Sequence, residues 1–137
     1  MEIDHFRPLK RGGSEHFENL VYACVHCNRF KGVYWPADNA PESLMLLNPY
    51  EDDFEAHILL SADGKLIGLT SRGWFHIRWL HLNRPQLVVK RSEKLKQNEL
   101  EQILEDSLKA NHQLRLRIQK LENEVAMLKE ALRRLMS

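Results

Sequence analysis

A chain of 137 residues with 43% hydrophobic and 28% charged content has the size and balance of one modest soluble domain. Its formal net charge of +1 excludes a protein that coats nucleic acid through bulk positive charge, so any attraction to phosphate must come from local clusters. No stretch approaches the roughly 18 consecutive apolar residues of a membrane span, and Glu2 and Asp4 stand where a secretory signal would be basic; a cytoplasmic protein with no membrane part is expected.

The chain opens on Ile3-Asp4-His5-Phe6, a carboxylate followed by an imidazole between apolar neighbours, which reads as a short strand from Glu2 to Pro8. Lys10-Arg11-Gly12-Gly13-Ser14 is a basic turn whose glycines tolerate positive φ. Leu20-Val21-Tyr22-Ala23 is a second apolar strand. A helix follows from about Val25 to Lys31, with Gly32 to end it and with Asn28 and Lys31 sharing a face at i, i+3. Seven residues are too few for a stable isolated helix, so packing must hold this one. Hard oxygen ligands such as Asp4 and Asn28 suit a divalent cation that polarises a phosphate, and a neutral imidazole such as His5 suits proton removal from water. The only two cysteines, Cys24 and Cys27, are three apart, a spacing that in a reducing compartment favours metal over a structural disulfide. A reduced, partly buried pair is the alternative.

In these residues the sequence resembles the HNH, or ββα-metal, endonuclease family. The resemblance rests on Ile3-Asp4-His5-Phe6-Arg7-Pro8, Gly12-Gly13, Asn19-Leu20 and Cys24-x-x-Cys27-Asn28-x-x-Lys31-Gly32. It implies an α+β protein with a small ββα-metal core in which His5 is the general base, Asp4 and Asn28 hold one Mg²⁺ or Mn²⁺ ion, and Asn19 braces the loop that orients His5. Asn at the third signature position makes this an HNN variant. Many relatives carry a second Cys-x-x-Cys ahead of the Asp-His strand. That half is not among these residues, so either the start is truncated or the fold manages without it, and the structural zinc site that Cys24 and Cys27 would share in is incomplete as it stands. Arg7, Lys10, Arg11, Arg29 and Lys31 are the candidate phosphate contacts, each also readable as a solvated surface charge. His16 and His26 are polar surface, or one of them completes a metal site.

Residues 33–49 contain Pro36, Pro41 and Pro49 and read as irregular, with a short helix entered through Asp38–Glu42 and running through Leu46. Tyr34 and Trp35 cover the core or stack on bases. Asp52-Asp53 is either a structural turn or a second carboxylate pair for metal. His57–Ser61 and Leu66–Leu69, joined through Asp63-Gly64, form a β-hairpin signal. A helix capped by Thr70 or Ser71 is expected through about Leu82, its aromatics serving as core. Leu47-Asn48-Pro49, Ile67-Gly68-Leu69-Thr70 and Leu80–Val89 are similar to segments that follow the nuclease core in a group of bacterial HNH proteins, which carries the resemblance loosely to about residue 91.

Pro85 suits the first turn of a new helix. From Lys90 to Met136 there is no Pro or Gly, and Leu104, Asn111, Ile118, Val125 and Leu132 alternate with Leu100, Ser107, Leu114, Leu121, Leu128 and Leu135 in a seven-residue repeat. Branched residues at a, leucines at d and one Asn at a favour a parallel two-stranded coiled coil. Arg117 would face Glu122 of a second copy, and Glu124 would face Lys129. About forty-five helical residues reach roughly 68 Å, more than a small domain can cover, so a second copy or a partner's helix is expected; an amphipathic helix folded back on its own domain is the alternative. Three regions are therefore expected: a nuclease core over 1–35, an α/β extension over 36–91 that packs on it, and a coiled coil over 92–137. Function is expected to be metal-dependent hydrolysis of DNA phosphodiester bonds by a homodimer. The competing expectation is a non-catalytic nucleic-acid-binding or adaptor protein built on an HNH remnant and a coil.

Overall fold

The computed structural model describes residues 1–137 as an α+β chain with two small antiparallel sheets and a long C-terminal helix. Strand β1 (Glu2–His5) pairs with β2 (Leu20–Ala23) in the register Glu2↔Ala23, Ile3↔Tyr22, Asp4↔Val21, His5↔Leu20. Helix α1 (Val25–Lys31) follows directly. Paired residues of an antiparallel ladder point to the same face. Buried Val21 therefore marks the inner face, shared with Asp4 and Glu2, while exposed Ile3 and Tyr22 mark the outer one, shared with His5.

β1 stops at His5 rather than at Pro8. Past Phe6, whose N–H still reaches Asn19 O at 2.8 Å, the backbone turns to the Asn19 side chain: Arg7 N–H donates to Oδ1 at 2.8 Å, and Nδ2 donates to Arg7 O at 3.0 Å. One amide thus replaces a ladder partner and ends the strand. A tight turn over Leu9–Arg11 closes on Gly12 at φ 79°, a left-handed conformation that glycine adopts without steric cost.

The helix expected through Leu46 shrinks to a single 3₁₀ turn, Glu42–Leu44. The reason is tertiary. The carbonyls of Met45 and Leu46 accept from the Arg72 guanidinium at 3.2 and 2.9 Å, and Leu47 N–H donates to His76 Nδ1 at 2.9 Å. Side chains of a later helix, over Ser71–Trp79, take the backbone bonds that a longer helix would have made itself. Asp52 grips the same Arg72 at 2.8 and 2.7 Å, and its Oδ2 also accepts from Asn48 N–H at 2.6 Å. Asp53 caps the one-turn helix α2 (Phe54–His57). Both carboxylates are thus engaged in holding the turn.

The hairpin β3 (Ile58–Leu60) and β4 (Leu66–Gly68) lies against α3 (Ser71–Trp79), which Thr70 caps through Gly73 N–H at 3.0 Å. Approach is close enough that a Cβ at Gly73 would stand 2.0 Å from the His57 carbonyl oxygen, and one at Gly68 2.5 Å from Trp74 Cγ. α3 ends at Trp79 rather than Leu82, because His81 takes a left-handed φ of 49° and Leu82 N–H folds back to Ile77 O at 2.9 Å, a glycine-type helix ending made by histidine. Asn83 then bonds both backbone groups of Leu66 at 2.8 Å, acting as one more rung for β4.

Val21, Leu46, Leu47 and Ile77 form the buried core, with Asn48, His76 and Lys31 buried among the polar residues. Tyr34 and Trp35 cover it. The Tyr34 ring lies 4.1 Å from that of Trp79 and its hydroxyl donates to Leu44 O, while Trp35 stands edge-on to Phe6. Helix α4 (Pro85–Met136) is continuous, and the chain divides into two units, residues 1–95 and 96–137. Every residue of the second unit is exposed. No helix is long and apolar enough to cross a membrane.

Candidate active site

The site is built where α1 lies against the inner face of β1. Glu2 and Asp4 lie two apart on that face, and Asn28 and Lys31 lie three apart on one side of the helix. The two pairs meet in order. Asn28 Nδ2 donates to Glu2 Oε2 at 2.9 Å, and Lys31 Nζ stands 2.8 Å from Asp4 Oδ2. The structure therefore puts Asp4 and Asn28, from separate segments, along one strand–helix seam, Asn28 against Glu2 and Asp4 against Lys31. Helix α1 is held for this by Cys24, whose sulfur accepts from Cys27 N–H at 3.2 Å at its start, and by Gly32 at its end, whose N–H returns to Asn28 O.

Lys31 is only 7% exposed. Its ammonium donates to His5 O at 2.7 Å, so it ties together the carboxylate and the carbonyl of consecutive residues. Its contact with Asp4 is electrostatic rather than a directed hydrogen bond, since Oδ2 is fully buried and has no hydrogen-bond partner; it is the one buried side-chain oxygen or nitrogen in the chain so placed. Beside Asp4 and Lys31 lies a mainly apolar cavity of about 230 Å³, with Cys27, Leu47 and His76 also on its wall. His76 is neutral there: burial first, then the Arg72 charge, lowers it from 6.5 to about 4, and its Nδ1 serves as an acceptor.

His5 is on the other face of β1, at the strand's last residue, with its side chain 27% exposed and Nε2 3.4 Å from Glu15 Oε2. Asn19 braces the following loop. Besides its two bonds to Arg7 it donates to Ser14 O at 2.7 Å, and Gly13 leaves room for this: a Cβ there would stand 1.9 Å from Arg7 O and 3.0 Å from Asn19 Nδ2.

Of the basic residues, Lys10, Arg11 and Arg29 are exposed. Arg7 is turned inward, with Nε donating to Arg11 O at 2.7 Å and the guanidinium 5.1 Å from the Trp35 ring. Lys31 is buried in its ion pair, as described.

Cys24 and Cys27 face the Arg84 guanidinium, at 3.6 and 4.0 Å. Burial raises the Cys24 thiol, but the N–H and thiol of Cys27 and then Arg84 outweigh it and hold Cys24 below its ordinary value. Burial pushes Cys27 up, and the neighbouring Cys24 sulfur adds to that. The two sulfurs supply half of a tetrahedral zinc set, and no three His, Cys, Asp or Glu side chains gather into a metal-binding group anywhere in the chain. A closed zinc site does not fit these residues, because a guanidinium stands on the open side of the sulfurs. A hydrated Mg²⁺ asks less of the protein: one or two oxygen ligands, the remainder being water and substrate phosphate. Asp4, whose side chain keeps 17% of its surface exposed although Oδ2 is sealed against Lys31, and Asn28, whose amide nitrogen alone is engaged, each leave one oxygen for that requirement.

Sequence reasoning missed Glu2, Glu15 and Arg84. Each touches a site residue 10 to 60 positions away, and no local pattern marks such pairs.

The model of a family described as HNH endonuclease matches residues 1–33. The chain is also similar to the Septu protein PtuB of Bacillus mycoides (strain KBAB4), 30% identical over 131 residues, a match covering 74% of this chain and 44% of that protein. The chain thus spans less than half the length of that relative. No solved structure matches it. The family match begins one residue before β1 and runs one residue past the glycine that ends α1, so the likeness to HNH endonucleases covers the strand–strand–helix segment in which the candidate site lies.

Proposed function

We propose that the chain is a Mg²⁺- or Mn²⁺-dependent endonuclease that hydrolyses DNA phosphodiester bonds. The observations that carry this reading are that Asp4 and Asn28 lie along one strand–helix seam and that His5 ends the same strand. A divalent ion held there would supply positive charge to the phosphate and to the departing 3′ oxygen. Asp4 and Asn28 would each offer the ion an oxygen, and His5 would act from the opposite face at the last residue of β1. The His5 imidazole takes a proton from the attacking water, and Glu15 favours the ring N–H directed at it, which leaves the other ring nitrogen to accept. Asn19 fixes the backbone that follows. Lys10, Arg11 and Arg29 supply exposed charge for neighbouring phosphates.

In the second unit, a copy-to-copy pairing through the heptad stripe makes the protein a homodimer. Ile118, Leu121, Glu122 and Val125 border a shallow groove on the helix. Residues spaced i, i+3, i+4 and i+7 form the four-cornered hole that a d-position knob fills in a parallel coil, so Leu121 of a second copy is the occupant. A dimer carries two hydrolytic centres, one for each strand of a duplex.

The test is supercoiled plasmid incubated with purified protein under Mg²⁺, Mn²⁺ and chelator. Nicking that needs the ion, and that drops at least about 100-fold in His5→Ala, supports the reading. Intact plasmid under every ion with binding retained would contradict it and leave a nucleic-acid-binding adaptor.

A further inference from the structure

We infer that Lys31 is the positioning residue of this site, and that it sets how tightly the site holds a divalent cation. The inference deepens the proposed nuclease reading and rests on it. A lysine buried to this degree is costly unless its charge is paired and its N–H groups are bonded. Lys31 meets both conditions at the signature dipeptide itself, with Nζ 2.8 Å from Asp4 Oδ2 and 2.7 Å from His5 O. The first contact places a fixed positive charge on the inner oxygen of the proposed ligand. That oxygen is sealed from solvent, whereas the Asp4 side chain keeps 17% of its surface exposed. A cation arriving from solvent must therefore take Oδ1, against the repulsion of an ammonium on the other side of the same carboxylate. The second contact holds the carbonyl of His5, which fixes the strand end from which the imidazole projects. Lys31 is all but sealed from solvent. It acts through its two neighbours, lowering cation affinity while it keeps the base in place.

These effects have opposite signs, and a merely structural lysine would not produce that split. Mn²⁺ is titrated into the metal-stripped full chain by electron paramagnetic resonance, alongside plasmid nicking at saturating Mn²⁺ and circular dichroism for fold. Lys31→Met removes both contacts. Lys31→Gln keeps a donor for His5 O without the charge, and is the variant that decides should the Met form fail to fold. Both are expected to bind Mn²⁺ about tenfold or more tightly than wild type, as removal of a unit charge a few ångströms away requires. Lys31→Met is also expected to nick more slowly even at saturation. Lys31→Arg, with the charge kept, is expected to bind as wild type does. A wild type that binds Mn²⁺ while Lys31→Gln binds it no more tightly, or while Lys31→Arg binds as tightly as Lys31→Gln, overturns the assignment of Lys31 alone. A wild type that binds no Mn²⁺ overturns the nuclease reading and this inference with it.

Discussion

Asn19 shows how much one side chain can organise. Its amide makes three hydrogen bonds to the backbone of Arg7 and Ser14, in a loop where Gly13 leaves no room for a Cβ. Asn19→Ala leaves those groups without partners, and is expected to lower stability by about 1–3 kcal/mol, read as a shift in denaturant midpoint at unchanged slope. Nicking should fall further than stability does, because the loop carries the backbone next to His5. His76 sets a pH dependence. Its folded value, about 4, lies below its ordinary 6.5, so the unfolded chain takes up a proton that the folded chain refuses. Its contribution is fully present above pH 6.5, declines as pH falls through that value, and is lost by about pH 4. Urea unfolding from pH 7.5 to 4.5 should show this slope, and His76→Gln should flatten it. Asp4, His5, Asn19 and Asn28 were visible in the sequence as candidates because their types and order follow the family pattern. Their partners were not, since Glu2, Glu15 and Arg84 are ordinary charged residues whose roles exist only after folding.

At the level of elements, β2, α1 and the second hairpin follow from local chemistry: apolar alternation, a glycine stop, and Asp63-Gly64 at the turn, where Gly64 takes φ 87°. What the sequence did not reveal are the ends of β1, of the turn before Leu46, and of α3. The first two are set by remote partners, Asn19 for one and Arg72 with His76 for the other, and the third by the backbone reversal at His81 just past the helix. The contact between hairpin and α3 depends on two glycines. Gly73→Ala forces a methyl onto the His57 carbonyl, and is expected to cost about 1–3 kcal/mol as overpacking does, seen as a lower melting temperature with the Mn²⁺ site otherwise intact.

For the whole molecule, the repeat in residues 100–135 places the apolar stripe of α4 in the open: Leu121 is 47% exposed and Leu114 60%. Ion pairs along the helix, such as Glu105–Lys109 at 2.8 Å, are surface contacts worth a few tenths of a kcal/mol each, too little to hold so long a helix alone. Sedimentation velocity should give a dimer for the full chain. Leu121→Asp should give a monomer with residues 1–95 still folded, whereas Asn111→Leu should keep association but lose the two-stranded state. A wild-type monomer at micromolar concentration would contradict the pairing. The account as a whole stands on Asp4 and Asn28 sharing one ion, and a crystal of the chain grown with Mn²⁺ and read by anomalous scattering tests this most directly. One manganese peak is expected about 2.1 Å from an oxygen of each, on the side of the Asp4 carboxylate away from Lys31; a peak elsewhere, or none at the seam with Mn²⁺ in excess, would contradict it.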